Sequence, residues 1–271
     1  MRTLQRITII LFAAVFAVFC GVKIYMRLYL DRRAPVISLD SDTISVSVSD
    51  SKEKLLEGVS AYDDRDGDLT GSVMIKSVTQ LITGNTAKVN YIVFDSSNNM
   101  ASASRNVRYT DYEKPRFALE KPLVFAVGST VTLTDRLTAS DVIDGDISDG
   151  IRITSQNVTV NYEGVYSITV QVTNRMGDSE TVTLKTTVNN SSYARRLVTL
   201  SEYIAYVEAG TEFDPASYIR NVRTPGGEPL TKDSVEIVSN VDTSVPGCYE
   251  AAYTCSSQGE TFTAYLAVIV R

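Results

Sequence analysis

The chain has 271 residues, a net charge of −6, no histidine and no tryptophan. The acidic balance argues against a nucleic-acid partner, which needs a basic face. The missing histidine removes Ser-His-Asp and Cys-His catalysis and the commonest zinc ligand. Length alone allows about two domains. Beyond residue 35 the sequence is rich in Val, Ile, Thr, Ser and Tyr punctuated by Gly, Asn, Asp and Pro, which are strand residues separated by turn formers.

The first element is apolar. Ile7 to Val22 carries no charge, and Lys23, Tyr25, Arg27 and Tyr29 follow. Lys23 and Arg27 can snorkel and the tyrosines suit an interface, so the expected membrane helix is about Ile7 to Met26. A cleaved signal peptide needs small residues around its site, but Ala14 is followed two later by Phe16 and Ala17 by Phe19. Cys20 raises a lipoprotein reading, and Phe19 before it is too large for one. An uncleaved anchor is therefore the expectation. Arg2 and Arg6 lie on one side and Lys23, Arg27, Arg32 and Arg33 on the other, so charge bias does not set the orientation.

Asp31-Arg32-Arg33-Ala34-Pro35 links this segment to a first module. Alternation in Val36–Leu39 and Ile44–Val48 predicts half-buried strands. Strands are also expected at Val73–Ile75, Val89–Phe94 and Ala103–Tyr109, with Asp95-Ser96-Ser97-Asn98-Asn99 as a polar turn. That makes about seven short strands with no helical stretch, the pattern of a β-sandwich.

The phrase Ala61-Tyr62-Asp63-Asp64-Arg65-Asp66-Gly67-Asp68-Leu69 returns as Ala139-Ser140-Asp141-Val142-Ile143-Asp144-Gly145-Asp146-Ile147, an offset of 78 (139 − 61). A fixed period of domain size signals duplicated modules. The second module opens at Tyr112-Glu113-Lys114-Pro115 and repeats the plan through Gly164–Val172 and Thr181–Val188. A third follows the polar linker Asn189-Asn190-Ser191-Ser192, with Arg223–Thr231 standing where the aspartate phrase should be. The expected division is 1–33 for the anchor and its flanks, then 34–111, 112–190 and 191–271 for three modules.

Cys248 and Cys255 fall in what reads as one strand, on opposite faces and about 23 Å apart, too far for a disulfide. Both are read as small packing residues.

The combination of Ala-x-Asp-x-x-Asp-Gly-Asp-Leu in module one, Gly164-Val165-Tyr166 in module two and Val241-Asp242-Thr243-Ser244-Val245-Pro246-Gly247-Cys248-Tyr249 in module three resembles the bacterial surface immunoglobulin-like repeat, which is also attached to some pesticidal crystal toxins. Module two departs from the pattern at Tyr162-Glu163, and module three lacks the aspartates. The resemblance covers residues 35 to 271 and implies tandem immunoglobulin-like β-sandwiches on an extracytoplasmic surface, with a short N-terminus inside the cell and no catalytic residues. The expected fold class is all-β: three tandem sandwiches behind one N-terminal transmembrane helix.

Asp63, Asp64, Asp66 and Asp68, echoed by Asp141, Asp144 and Asp146, are the candidate metal ligands. Calcium favours six to eight oxygens. The EF-hand spacing fails here because Gly67 falls between the second and third alternating carboxylates. The competing reading is a tight Asp-Gly turn, with calcium as a weak addition and no other cofactor expected. A glycosidase would need two carboxylates flanking a cleft, which nothing indicates. Gly226-Gly227 lies between prolines rather than before a helix, so it is no phosphate loop. Tyr91, Tyr166, Tyr249 and Tyr253 sit in strand patterns and read as core or corner tyrosines rather than a sugar-stacking platform.

The sequence thus predicts a non-enzymatic, membrane-anchored surface protein with an adhesion or stalk role. Its expected partners are the membrane and a protein or cell-wall glycan, and the altered loop Val222 to Thr231 is the expected contact surface. An accessory subunit of a membrane or wall-processing complex is the alternative.

Overall fold

A computed structural model describes residues 2–29, 31–133, 135–190 and 197–271. Ser191 and Ser192 of the expected linker, and the side chains of Arg27 and Tyr29, lie outside the described residues. Helix α1 runs Arg2–Tyr29. Its apolar part, the 23 residues Leu4–Met26, is long and apolar enough to cross a membrane. At 1.5 Å per residue it rises about 35 Å, against about 30 Å of hydrocarbon. The helix passes through both flanking charges because no proline interrupts it, and the Lys23 ammonium lies over the Phe19 ring. Ile9, Phe12 and Val18 are each more than 60% exposed, so the described residues leave this apolar surface uncovered.

The chain divides into two compact units, Met1–Asp111 and Tyr112–Arg271. In the first, β1 (Val36–Leu39), β3 (Val59–Asp63) and β4 (Gly67–Asp68) form a small antiparallel sheet. The second sheet has the order β2 (Thr43–Val46), β7 (Met100–Tyr109), β6 (Thr86–Phe94) and β5 (Met74–Val78), with β2 parallel to β7. Val59 and Ala61 of the small sheet meet Val89, Tyr91, Val93 and Val107 of the large one in a shared core. Strict period-two burial along β3 and β6 makes this possible.

β2 stops at Val46, short of the expected Val48. The Ser47 amide is taken by Asp50 and the Val48 amide by Asp111, so neither can join the ladder. The connection from β2 to β3 holds a short 3₁₀ turn, Lys52–Leu56. Beside that turn a charge is buried. Arg105 on β7 donates from Nε to the Tyr91 hydroxyl at 2.9 Å, from a terminal nitrogen to Leu55 O at 3.1 Å and to Glu57 O, and pairs with Asp40 at 3.1 Å.

The second unit holds two further sandwiches. One pairs β8 (Arg116–Leu119), β10 (Leu137–Asp141) and β11 (Gly145–Asp146) against β9 (Leu123–Ala126), β14 (Ser179–Asn189), β13 (Gly164–Thr173) and β12 (Arg152–Gln156). The other pairs β15 (Val198–Leu200) and β17 (Ile219–Val222) against β16 (Ile204–Val207), β20 (Glu260–Val270), β19 (Gly247–Ser257) and β18 (Val235–Ser239). Each keeps the plan of the first sandwich, including the parallel pairing of its second strand with its last, although the small sheet of the last sandwich has two strands rather than three. The fold is therefore all-β, three immunoglobulin-like sandwiches in series behind one apolar helix.

Within the second unit the two sandwiches share one hydrophobic core. The Tyr206 hydroxyl accepts a hydrogen bond from the Phe117 amide at 2.7 Å, and the guanidinium groups of Arg116 and Arg271 lie over its ring, 5.2 and 4.3 Å from the centroid. Arg271 in turn donates to Pro115 O and pairs with Glu180 at 2.9 Å.

The four strand tyrosines take core and corner places. Tyr91 and Tyr253 are fully buried, with hydroxyls on Leu55 O and Pro215 O. The Tyr166 and Tyr249 hydroxyls reach back four residues to Tyr162 O and Val245 O. Their rings fold over Gly164 and Gly247, where an added Cβ would come within 3.2 and 3.3 Å of ring atoms. That contact explains the Gly-x-Tyr pattern. Cys248 is at the exposed start of β19, Cys255 is buried, and both are free thiols.

Candidate functional site

The repeated aspartate phrase forms the same turn in both sandwiches. Asp63 ends β3, and its Oδ1 accepts the Arg65 and Asp66 amides at 2.8 and 3.0 Å. Asp141 ends β10 and accepts the Ile143 and Asp144 amides at 2.8 and 3.1 Å. Gly67 and Gly145 follow with φ of +77° and +73°, the left-handed region where a side chain is strained. The closing aliphatic residue then bonds back to the first alanine: Leu69 N to Ala61 O at 2.9 Å and Ile147 N to Ala139 O at 3.0 Å.

The remaining aspartates of the phrase are also engaged. Asp66 accepts the Ser96 amide and hydroxyl, and these hold its carboxyl below the usual range. Asp144 occupies the matching place, taking the Arg175 amide at 2.7 Å and its guanidinium at 3.0 Å. Asp68 is held low by the Thr70 hydroxyl and amide, and Asp146 by those of Ser148. Asp64 makes a solvent-exposed ion pair with Arg33 at 2.6 Å, a kind of contact that contributes little. The dense sequence cluster is thus dispersed: Asp64, Asp66 and Asp68 each face a different partner.

Asp63 instead meets two aspartates from elsewhere. One carboxylate oxygen each of Asp31, Asp63 and Asp95 lies within 4.8 Å of the others. Asp31 follows helix α1, and Asp95 begins the turn between β6 and β7. Asp63 is 2% and Asp95 6% exposed. Asp95 Oδ1 accepts the Ser97 and Asn99 amides, and its Oδ2 accepts the Asn99 side-chain amide at 2.7 Å. Asp31 Oδ1 accepts the Arg33 amide at 2.9 Å. Asp63 Oδ2 is buried with no hydrogen-bond partner, a loss that costs about 1–3 kcal/mol where nothing compensates it.

The second sandwich resolves the same position differently. Asn174 replaces Asp95 at the start of the β13–β14 turn, accepting the Met176 and Asp178 amides on Oδ1. Its Nδ2 donates to Asp141 Oδ2 and to the Tyr112 hydroxyl, both at 3.0 Å. Tyr112 then donates to Asp178 at 2.8 Å. Burial, and next the bond to Asp178, push the Tyr112 phenol well above its ordinary value.

The third sandwich keeps the frame without the carboxylates. Leu230 N bonds Val222 O at 2.9 Å, the bond that Leu69 makes to Ala61. The Thr224 hydroxyl, accepting the Glu228 amide at 3.1 Å, takes the role of the aspartate cap. Gly226, Gly227, Glu228 and Pro229 form the exposed tip of that loop.

Among the described residues, then, Asp63 is the one candidate ligand that joins a group of three carboxylates, and its companions Asp31 and Asp95 belong to the linker and to a turn. Comparing Asp95 with Asn174, the same turn position in two repeats, is the signal that singles Asp95 out.

No family model matches the chain. A 120-residue stretch, 43% of the chain, is 32% identical to the pesticidal crystal protein Cry22Aa of Bacillus thuringiensis and covers 16% of it. A longer match of 24% identity covers 81% of the chain and 30% of an uncharacterised 81.3 kDa protein of Acholeplasma phage L2. The chain spans less than a third of the length of these curated relatives. Among solved structures, CBM51-2 in complex with GlcNAc and INT domains from Clostridium perfringens ZmpB align over 88% of this chain and 42% of theirs at 15% identity and a TM-score of 0.24. A Bacteroides thetaiotaomicron lipoprotein aligns over 56% of this chain and 98% of its own at 14% identity and a TM-score of 0.24.

Proposed function

We propose that this chain is a membrane-anchored surface protein whose sandwiches, of the bacterial surface immunoglobulin-like type, serve a non-catalytic binding or stalk role outside the cell. The observation that carries this reading is the arrangement itself: an uncovered apolar helix of membrane-spanning length, followed within a few residues by β-sandwiches in series. The partial match to Cry22Aa supports the module type. The use of the repeat's aspartates as turn caps supports a structural rather than catalytic role for them. The helix holds the chain at the bilayer, and end loops such as Val222 to Thr231 present the binding surface to a protein or wall glycan.

Crosslinking on intact cells followed by capture of the chain tests the binding role. The expected result is a surface protein or wall polymer that is lost when Arg223–Thr231 is replaced by the first sandwich's turn. Undiminished capture by that swap variant would contradict the assigned loop. Capture that depends instead on the identity of the α1 residues would favour docking to a membrane complex.

A further inference from the structure

The first sandwich contains a group of charges that its own hydrogen bonds do not balance. Asp63 and Asp95 are both more than nine-tenths buried, Asp31 closes on them, and Asp63 Oδ2 has no donor. The second sandwich is an internal control. There the same loop carries Asn174, whose amide donates to Asp141 Oδ2. One sandwich thus fills the position with an N–H donor, while the other presents a second carboxylate and adds a third from the chain leaving helix α1.

We propose that Asp31, Asp63 and Asp95 bind a calcium ion. The donors are all oxygens, which hard cations prefer, and no nitrogen or sulfur ligand stands among the three to favour zinc or copper. The carboxylates come from three separate segments, which suits the larger, less demanding coordination of calcium better than the strict octahedron of magnesium. Water completes the shell on the side of half-buried Asp31.

The ion has a mechanical consequence. Asp31 lies two residues after the end of α1, whereas Asp63 and Asp95 belong to loops of the sandwich. Calcium would tie the chain emerging from the helix to those loops, ordering the linker that contains Arg32 to Ala34. Asp66 reinforces the arrangement by gripping Ser96, next to Asp95.

The test uses the full chain in detergent micelles, titrated with calcium by calorimetry and melted with calcium or with chelator. One site in the first unit is expected, with Kd on the order of 0.1–1 mM, the range of extracellular modules. At tenfold excess of calcium over Kd, the first unit's transition should rise by about 5 °C or more. Asp95→Asn copies the second sandwich. It should weaken binding at least tenfold, yet melt close to the parent in chelator, because relief of the carboxylate cluster offsets the lost acceptor for the Asn99 side-chain amide. Asp31→Asn, which leaves the buried turns untouched, should weaken binding too and guards against misfolding of the first variant. Identical melting of the parent with and without calcium, or undiminished binding by both variants, would overturn the proposal.

Discussion

Asp95 and Asn174 stand at the same point of successive sandwiches, each accepting two backbone amides on Oδ1, but Asn174 turns an N–H toward Asp141 where Asp95 has a second oxygen. Asn174→Asp should therefore reproduce the first sandwich's charge cluster in the second. In chelator it should destabilise the second unit by about 1–3 kcal/mol, the cost of taking a donor from a buried carboxylate. Calorimetric melting in chelator measures this, and an unchanged transition would show that the Asn174 amide contributes nothing.

Gly58 has φ +69°, and a Cβ there would lie 2.0 Å from Asp40 Oδ2. Gly58→Ala should displace Asp40 from Arg105 and add backbone strain, destabilising the first unit by about 2–4 kcal/mol. Arg105→Ala should cost a similar amount, about 3 kcal/mol, because it leaves Leu55 O, Glu57 O and the Tyr91 hydroxyl without their shared donor. Urea unfolding checks both, and the second unit's transition should not move.

The Gly-x-Tyr corners predict a smaller effect. Gly164→Ala and Gly247→Ala should each cost about 1 kcal/mol, since the tyrosine ring must shift a few tenths of an ångström to admit the methyl group. Tyr166→Phe should cost about as much by losing its bond to Tyr162 O. Combining Gly164→Ala with Tyr166→Phe should be less than additive, because the two changes share one contact.

Burial pushes the Tyr206 phenol up to about 12, with the Phe117 amide opposing that rise. Between the ordinary value near 10 and this one, the folded chain holds a proton that the unfolded chain has released. The contribution is full below pH 10 and is lost as pH rises toward 12. Tyr206→Phe should flatten this alkaline loss in the second unit. It should not abolish it, since burial also raises Tyr112 and Tyr253. A variant with the parent's slope above pH 10 would contradict the assignment.

The architecture was legible in the sequence because period-two alternation in segments such as Val89–Phe94 and the 78-residue recurrence are backbone-scale signals. Strand ends were less so: Val48 looks like strand, but Asp111, 63 residues on, takes its amide. The carboxylate group was hidden for the same reason. Four aspartates lie within six residues, Asp63 to Asp68, yet in a tight turn neighbouring side chains diverge to cap different amides. Asp31 and Asp95 reach Asp63 only through the sandwich's long-range pairing, which brings the start of the module and the β6–β7 turn to one end.

Labelling intact cells with a membrane-impermeant maleimide tests the account most directly. Tyr162, 72% exposed in the second sandwich, is replaced by cysteine, and the parent chain serves as the background. A surface-displayed chain predicts strong labelling of Tyr162→Cys before lysis, in a product that sediments with the membrane after an alkaline wash. Labelling only after lysis, or a labelled chain recovered from the medium, would contradict a membrane-anchored display of these sandwiches.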